Sequence, residues 1–183
     1  MSQPKLAPLA EADWTDEQRE VLERIFSGGG RARNIFTTLV RRPKLLRRWA
    51  AFGGTLLARG ELPGRDREVL ILRTARNCAA EYEWGQHELA ARALGLGSGE
   101  LAAITGDASA LDPPDRLLVR AADELHADAR LSDATWAELA TRYSEGQLIE
   151  LLFLVGQYHL VSFALNSIGV EREPGVPGLP PRP

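Results

Sequence analysis

The stretch Arg65 to Leu94, RDREVLILRTARNCAAEYEWGQHELAARAL, decides the fold class. Its apolar positions Val69, Leu70, Leu72 and Ala75 recur with helical spacing, not with the alternation of a strand, and predict a helix from Arg65 to Asn77. A second helix is expected from Ala79 to Leu94, closed by Gly95-Leu96-Gly97. The chain must then turn back near Asn77 and Cys78, which makes the pair a helical hairpin.

Residues three, four and seven apart share a helix face. On the second helix this places Glu81, Glu88 and Arg92 on a charged side, with Glu88 and Arg92 spaced as a surface ion pair. Ala80, Glu83, Trp84, His87, Ala91 and Leu94 form a mostly apolar side, so Glu83 and His87 are expected to face protein. A carboxylate four residues before an imidazole fixes its tautomer and raises its basicity, giving a proton donor or acceptor near neutral pH. The same spacing also suits a plain helix-stabilising ion pair. Glu68, Arg73 and Arg76 lie on the preceding helix, and the hairpin can bring a second carboxylate and two guanidiniums toward His87. Their other reading is a solvated face for the arginines and a macrodipole role for Glu68.

Further helices are expected on both sides. Thr15-Asp16-Glu17-Gln18 has the form of a capping box opening a helix from Asp16 to Phe26, which Gly28-Gly29-Gly30 ends. Asn34 to Val40, Pro43 to Arg59, Ser98 to Thr105, Pro113 to Asp128, Asp133 to Tyr143 and Gln147 to Ile168 complete the set, the last entered through Ser144-Glu145-Gly146-Gln147. No strand or hairpin signal is present, so the expectation is an all-α chain of about eight or nine helices. The 183 residues suit one folded unit over 1–173, followed by a tail at 174–183 in which five prolines and two glycines occupy ten positions. Such a tail reads as a disordered end or, alternatively, as an arm for a neighbouring subunit.

A charged fraction of 26% with a formal charge of −3 offers no basic excess for nucleic acid or an anionic membrane. The apolar run Leu148 to Ile168 carries Glu150, Gln157, His159 and Asn166, and is read as a buried helix, not a span. The N-terminus shows no export signal, so a cytoplasmic location is expected. Cys78 is the one cysteine, which rules out an intrachain disulfide and any multi-cysteine metal site. No metal is expected, because Glu83 and His87 are too few ligands and spacing does not place His126 and His159 relative to each other.

Gly85-Gln86, Leu89 and Ala93-Leu94 match Gly156-Gln157, Leu160 and Ala164-Leu165 at a constant shift of 71 positions. Either a helix pair was duplicated or two alanine- and leucine-rich helices agree by chance. In that register His87 is equated with Tyr158, and Glu83 with Leu154.

The string Asn77-Cys78-Ala79-Ala80-Glu81-Tyr82-Glu83-Trp84-Gly85-Gln86-His87, with Glu68 twelve residues before Ala80, resembles the carboxymuconolactone decarboxylase family, which also contains the alkylhydroperoxidase-D-like proteins. The resemblance runs from about Asn34 to Gly169, and includes Arg42-Pro43-Lys44-Leu45-Leu46 and Phe52-Gly53-Gly54. It implies an all-helical, alkylhydroperoxidase-D-like fold assembled into homo-oligomers, trimers or hexamers. In the family's redox branch a glutamate precedes a Cys-x-x-Cys pair and a histidine. Carried over, the glutamate is Glu68, the cysteine positions are Ala80 and Glu83, and the histidine is His87. Both cysteines are missing, so a dithiol peroxidase cycle has no resolving thiol.

What remains suits the decarboxylase branch: cofactor-free acid/base decarboxylation or isomerisation of a small carboxylated lactone or unsaturated acid. The resemblance implies His87 as proton donor, Glu83 as the residue orienting it and Glu68 as a second relay carboxylate. Tyr82 joins this catalytic set, Arg73 or Arg76 clamps a substrate carboxylate, and Trp84 lines the substrate. The alternatives are a residual peroxidase acting through Cys78, and a binding or scaffold oligomer whose pocket lost its reaction.

Overall fold

The computed structural model describes residues 4–27 and 33–181. Among these the regular structure is helical throughout, with no strand. The helices are α1 Asp16–Ile25, α2 Asn34–Leu39, α3 Pro43–Ala58, α4 Gly64–Asn77, α5 Glu81–Ala93, α6 Ser98–Thr105, α7 Pro113–Asp128, α8 Asp133–Ala140 and α9 Glu145–Ile168. Two short 3₁₀ turns, Glu11–Asp13 and Ala108–Ala110, were not expected from periodicity. The glycine stop at Gly28-Gly29-Gly30 lies outside the described residues.

Both capping boxes form. Thr15 N–H donates to Gln18 Oε1 at 3.0 Å while Gln18 N–H donates to Thr15 Oγ1, and Ser144 and Gln147 make the same exchange. The second box opens α9 two residues earlier than expected. Helix α8 stops at Ala140, short of Tyr143, which leaves the helix to bury its ring and donate its hydroxyl to Asp66 at 2.6 Å.

The chain divides into two compact units. The first, Met1–Gly60 with Leu165–Gly175, has a small core of Val21, Leu22, Val40 and Leu46 bordered by Trp14, Phe26, Phe36 and Trp49. Phe26 and Phe36 meet edge to face at 5.0 Å. Glu173 accepts the Asn34 backbone N–H at 2.7 Å, which satisfies an amide at the start of α2.

The second unit, Glu61–Ala164 with Val176–Pro183, is organised around α4. Glu68 to Leu72 are all buried, because α4 packs against α5, α6 and α7 at once. Arg65 reaches Asp115 and Arg73 reaches Asp123, the same shift of 50 residues twice, so α4 and α7 run parallel and level. Helix α9 contributes Leu148, Leu151, Leu154, Val155, Tyr158 and Val161 to this core. It is long and apolar enough to cross a membrane by composition, but half of that apolar window is buried in protein, as in a core helix. The described part of the tail, 174–181, forms no helix, yet Arg76 donates to the carbonyls of Pro180 and Pro181 at 2.8 and 3.4 Å. Proline lacks a donor but keeps its acceptor, so this segment is tied down by its carbonyls.

The hairpin between α4 and α5 closes as a Schellman motif: Ala80 N–H donates to Ala75 O at 2.8 Å and Ala79 N–H to Arg76 O at 3.1 Å. Ala79 takes the left-handed position at φ 50°, where glycine is usual. The end of α5 repeats the motif with Gly95 at φ 92°.

Candidate active site

The tight hairpin sets the C-terminal side of α5 back along α4, and this brings Glu68 to His87. Glu68 Oε2 lies 2.6 Å from His87 Nδ1, and Glu83 Oε1 lies 3.1 Å from His87 Nε2. The imidazole is therefore held between two carboxylates, one from each helix of the hairpin. Glu68 is 1% exposed, Glu83 5% and the His87 side chain 12%, so the trio is shielded from water.

Burial by itself favours a neutral imidazole, but the hydrogen bonds to Glu68 and then Glu83, with their negative charges, outweigh it and raise the His87 pKa from 6.5 to about 9. At neutral pH both ring nitrogens carry protons and both donate. Arg67 Nε sits 3.3 Å from the other oxygen of Glu68, so two cations face two anions. The Tyr158 ring meets the His87 ring edge to face at 4.9 Å. The residues equated by the 71-position shift thus touch.

Not every residue expected at the site is there. Arg73 is turned to α6 and α7, donating to both oxygens of Asp123 at 2.6 and 2.8 Å and to Ile104 O at 2.7 Å. Arg76 is turned to Thr105 O and the tail carbonyls. Among the described residues it is Arg67 that meets the trio, through Glu68. Sequence reasoning passed over Arg67 because adjacent residues on a helix do not share a face, although a long side chain can bend back to its neighbour.

Helix α5 departs from its expected wheel at Glu88 and Leu94, while Trp84 falls on the protein-facing side as expected. Trp84, expected to line a substrate, is fully buried and donates its indole N–H to Glu88 Oε2 at 2.7 Å. Glu88, expected on the charged surface, is 8% exposed because it also takes Arg92 through two nitrogens at 2.8 and 3.0 Å. Leu94, expected inside, is 45% exposed beyond the last turn. Tyr82 is buried one position before Glu83, about 100° round the helix. Cys78 caps α4 and is partly buried; burial pushes its thiol pKa up, against the opposing effect of the Ser162 hydroxyl.

A cavity of about 470 Å³ lies in the first unit, bordered by Leu9, Glu11, Trp14, Phe26, Asn34 and Thr37 among others. None of its lining residues belongs to the Glu68, Glu83 and His87 set.

Residues 43–124 match the model of the carboxymuconolactone decarboxylase family, a segment that contains the whole trio. No curated protein matches the chain by sequence. Among solved structures it is similar to a peroxidase-related protein from Silicibacter, with a TM-score of 0.80 at 15% identity, covering 96% of this chain and 97% of that one. A peroxidase-related protein with an alkylhydroperoxidase AhpD core from Ralstonia eutropha gives 0.79 at 17% identity, covering 94% and 95%. The debrominase Bmp8, as a cysteine-to-alanine variant in complex with 2,3,4-tribromopyrrole, gives 0.71 at 17% identity, covering 92% and 91%. At these identities the likeness is one of fold.

Proposed function

We propose that this chain, whose residues 43–124 match the carboxymuconolactone decarboxylase family and whose fold is similar to alkylhydroperoxidase-D-like proteins, is a cofactor-free acid/base enzyme acting on a small carboxylated lactone or related unsaturated acid. The observation that carries this reading is the His87 ring held between Glu68 and Glu83, whose carboxylates favour its protonated form. A buried cation with two hydrogen-bonded carboxylates is a stored proton with a defined direction of release.

The unequal distances support exchanging the roles expected of the two carboxylates. Glu68, at 2.6 Å from Nδ1, anchors the ring; Glu83, at 3.1 Å from Nε2, holds the looser bond that substrate displaces. In decarboxylation the carbon–carbon bond to the substrate carboxylate breaks, carbon dioxide leaves and the electron pair passes into a conjugated carbonyl. Nε2–H then returns one proton to carbon, and Glu83 relays a replacement from solvent. Arg67 offsets the charge of Glu68.

A screen of carboxylated lactones and unsaturated acids for carbon dioxide release or double-bond migration tests the reading, with His87→Gln as control. Turnover that persists undiminished in a folded His87→Gln protein overturns it. A second reading, a binding or scaffold domain, draws support from the burial of both carboxylates and from Tyr158 against the His87 ring. It gains if candidate acids bind without being converted. The peroxidase alternative predicts hydroperoxide consumption that Cys78→Ser abolishes, and it must overcome a thiol whose pKa is raised by burial.

We extend the reading to a homo-oligomer. Ile149, Phe153, Leu160 and Phe163 are 56%, 57%, 55% and 62% exposed and fall on one stripe of α9, with Gly156 between them. A contiguous apolar stripe of this kind is what a partner surface presents.

A further inference from the structure

Away from the Glu68, Glu83 and His87 trio, three metal-binding side chains converge from three helices. Cys78 caps α4, His126 is in the last turn of α7 and His159 is midway along α9, and their donor atoms all lie within 4.8 Å of one another. We propose that Cys78, His126 and His159 form a binding site for a borderline-soft, tetrahedral divalent ion of the zinc class, with the fourth position open to water or a small ligand. His126 and His159 lie outside the segment that matches the family model.

The parallel, level packing of α4 and α7 carries Cys78 and His126 to the same end of the pair, and α9 supplies the third donor. One thiolate and two imidazoles suit zinc, and hard ions that want oxygen ligands are disfavoured. The imidazole of His159 is already oriented as a ligand. Its Nδ1–H donates to the Val155 carbonyl at 2.8 Å, which leaves the Nε2 lone pair directed at His126 Nδ1, 2.9 Å away. A ligating histidine is held in this way, through a hydrogen bond from its other nitrogen.

Two nitrogens 2.9 Å apart share a proton when no ion is present. Around a tetrahedral zinc with bonds of about 2.0–2.1 Å they would sit about 3.3 Å apart, a shift of a few tenths of an ångström. On binding, the His126 proton passes to its Nε2, and the Cys78 thiol loses its proton to solvent as the sulfur–metal bond forms. Asp123 is held by Arg73 and Asn77, so it steadies this end of α7 without competing for the ion. His126 is exposed and Cys78 and His159 are partly so, which leaves an entry path.

Titration of the metal-free full chain with cobalt(II) tests the site. The expected result is one equivalent bound, with thiolate-to-cobalt charge transfer in the near ultraviolet and tetrahedral d–d bands in the visible, all displaced by one equivalent of zinc. Cys78→Ser removes the charge-transfer band. His126→Ala, at an exposed position that does not threaten folding, weakens binding roughly tenfold or more, since even the outer partners of a ligand are worth that much. No charge-transfer band at stoichiometric cobalt overturns the proposal. So does a band that survives Cys78→Ser, or an unchanged affinity in folded His126→Ala protein.

Discussion

Glu68 Oε2 and His87 Nδ1, nineteen residues apart in sequence, stand 2.6 Å apart across the α4–α5 hairpin. This contact turns a local Glu83–His87 pair into a three-membered device with one tight and one loose bond. The tight bond fixes the ring plane, and under the proposed function the looser bond makes Nε2 the nitrogen that exchanges.

Activity should follow the charge state of His87. The protonated donor is lost as pH rises through about 9, so turnover falls above that value. In Glu68→Gln the anchor loses its charge and the break moves down toward the ordinary histidine value of 6.5. His87→Gln costs about 10²–10⁴ in kcat. Rate profiles across pH 5–10 on a confirmed substrate check both, and a Glu68→Gln profile identical to wild type would remove Glu68 from the device.

Stability should depend on pH through the same group. A folded pKa of about 9 against 6.5 unfolded means that the stabilisation is complete below 6.5 and is lost as pH rises through 9. The amount at stake is up to about 3 kcal/mol. Urea unfolding at several pH values measures it, and His87→Gln should flatten the fall between 6.5 and 9.

Arg73 is predicted to hold structure, not substrate. Removing it leaves Asp123 and the Ile104 carbonyl without their guanidinium, at a cost of about 2–3 kcal/mol. Arg73→Ala should lower Tm with no selective rise in KM. A normal Tm with a raised KM would restore the carboxylate-clamp role.

Ala79 occupies a position made for glycine. An L-residue in the left-handed region carries a strain of about 1–2 kcal/mol, part of which glycine returns as unfolded-state entropy. Ala79→Gly should therefore stabilise by about 0.5–1 kcal/mol, read as a rise in Tm. A lower Tm would mean that the alanine methyl has a packing role outweighing the strain.

The α9 stripe predicts an assembly. Light scattering should give a homo-oligomer for the wild type and a smaller species for Phe153→Glu, whose side chain is 57% exposed in the isolated chain. A wild-type monomer would sink the oligomer proposal.

Local chemistry made much of this protein legible without coordinates. The capping boxes at Thr15 and Ser144, Pro43 at the first turn of α3 and the bounds of α6 and α7 follow from rules acting within a few residues. The approach of Glu83 to His87 follows for the same reason, because a shift of four positions is one helical turn. Periodicity sorts residues onto faces but does not say which helix each face meets, or at what level. That left Glu88 and Leu94 on the wrong sides of α5 and sent Arg73 and Arg76, not Arg67, to His87. The depth of the Schellman turn brought Glu68 to Nδ1. The level packing of α4 on α7, completed by α9, gathered Cys78, His126 and His159 from three helices far apart in sequence. The sequence by itself determined the helices and two members of the trio, Glu83 and His87; packing between helices decided the third, Glu68, and the cysteine–histidine cluster, because the register between two helices depends on side chains from both.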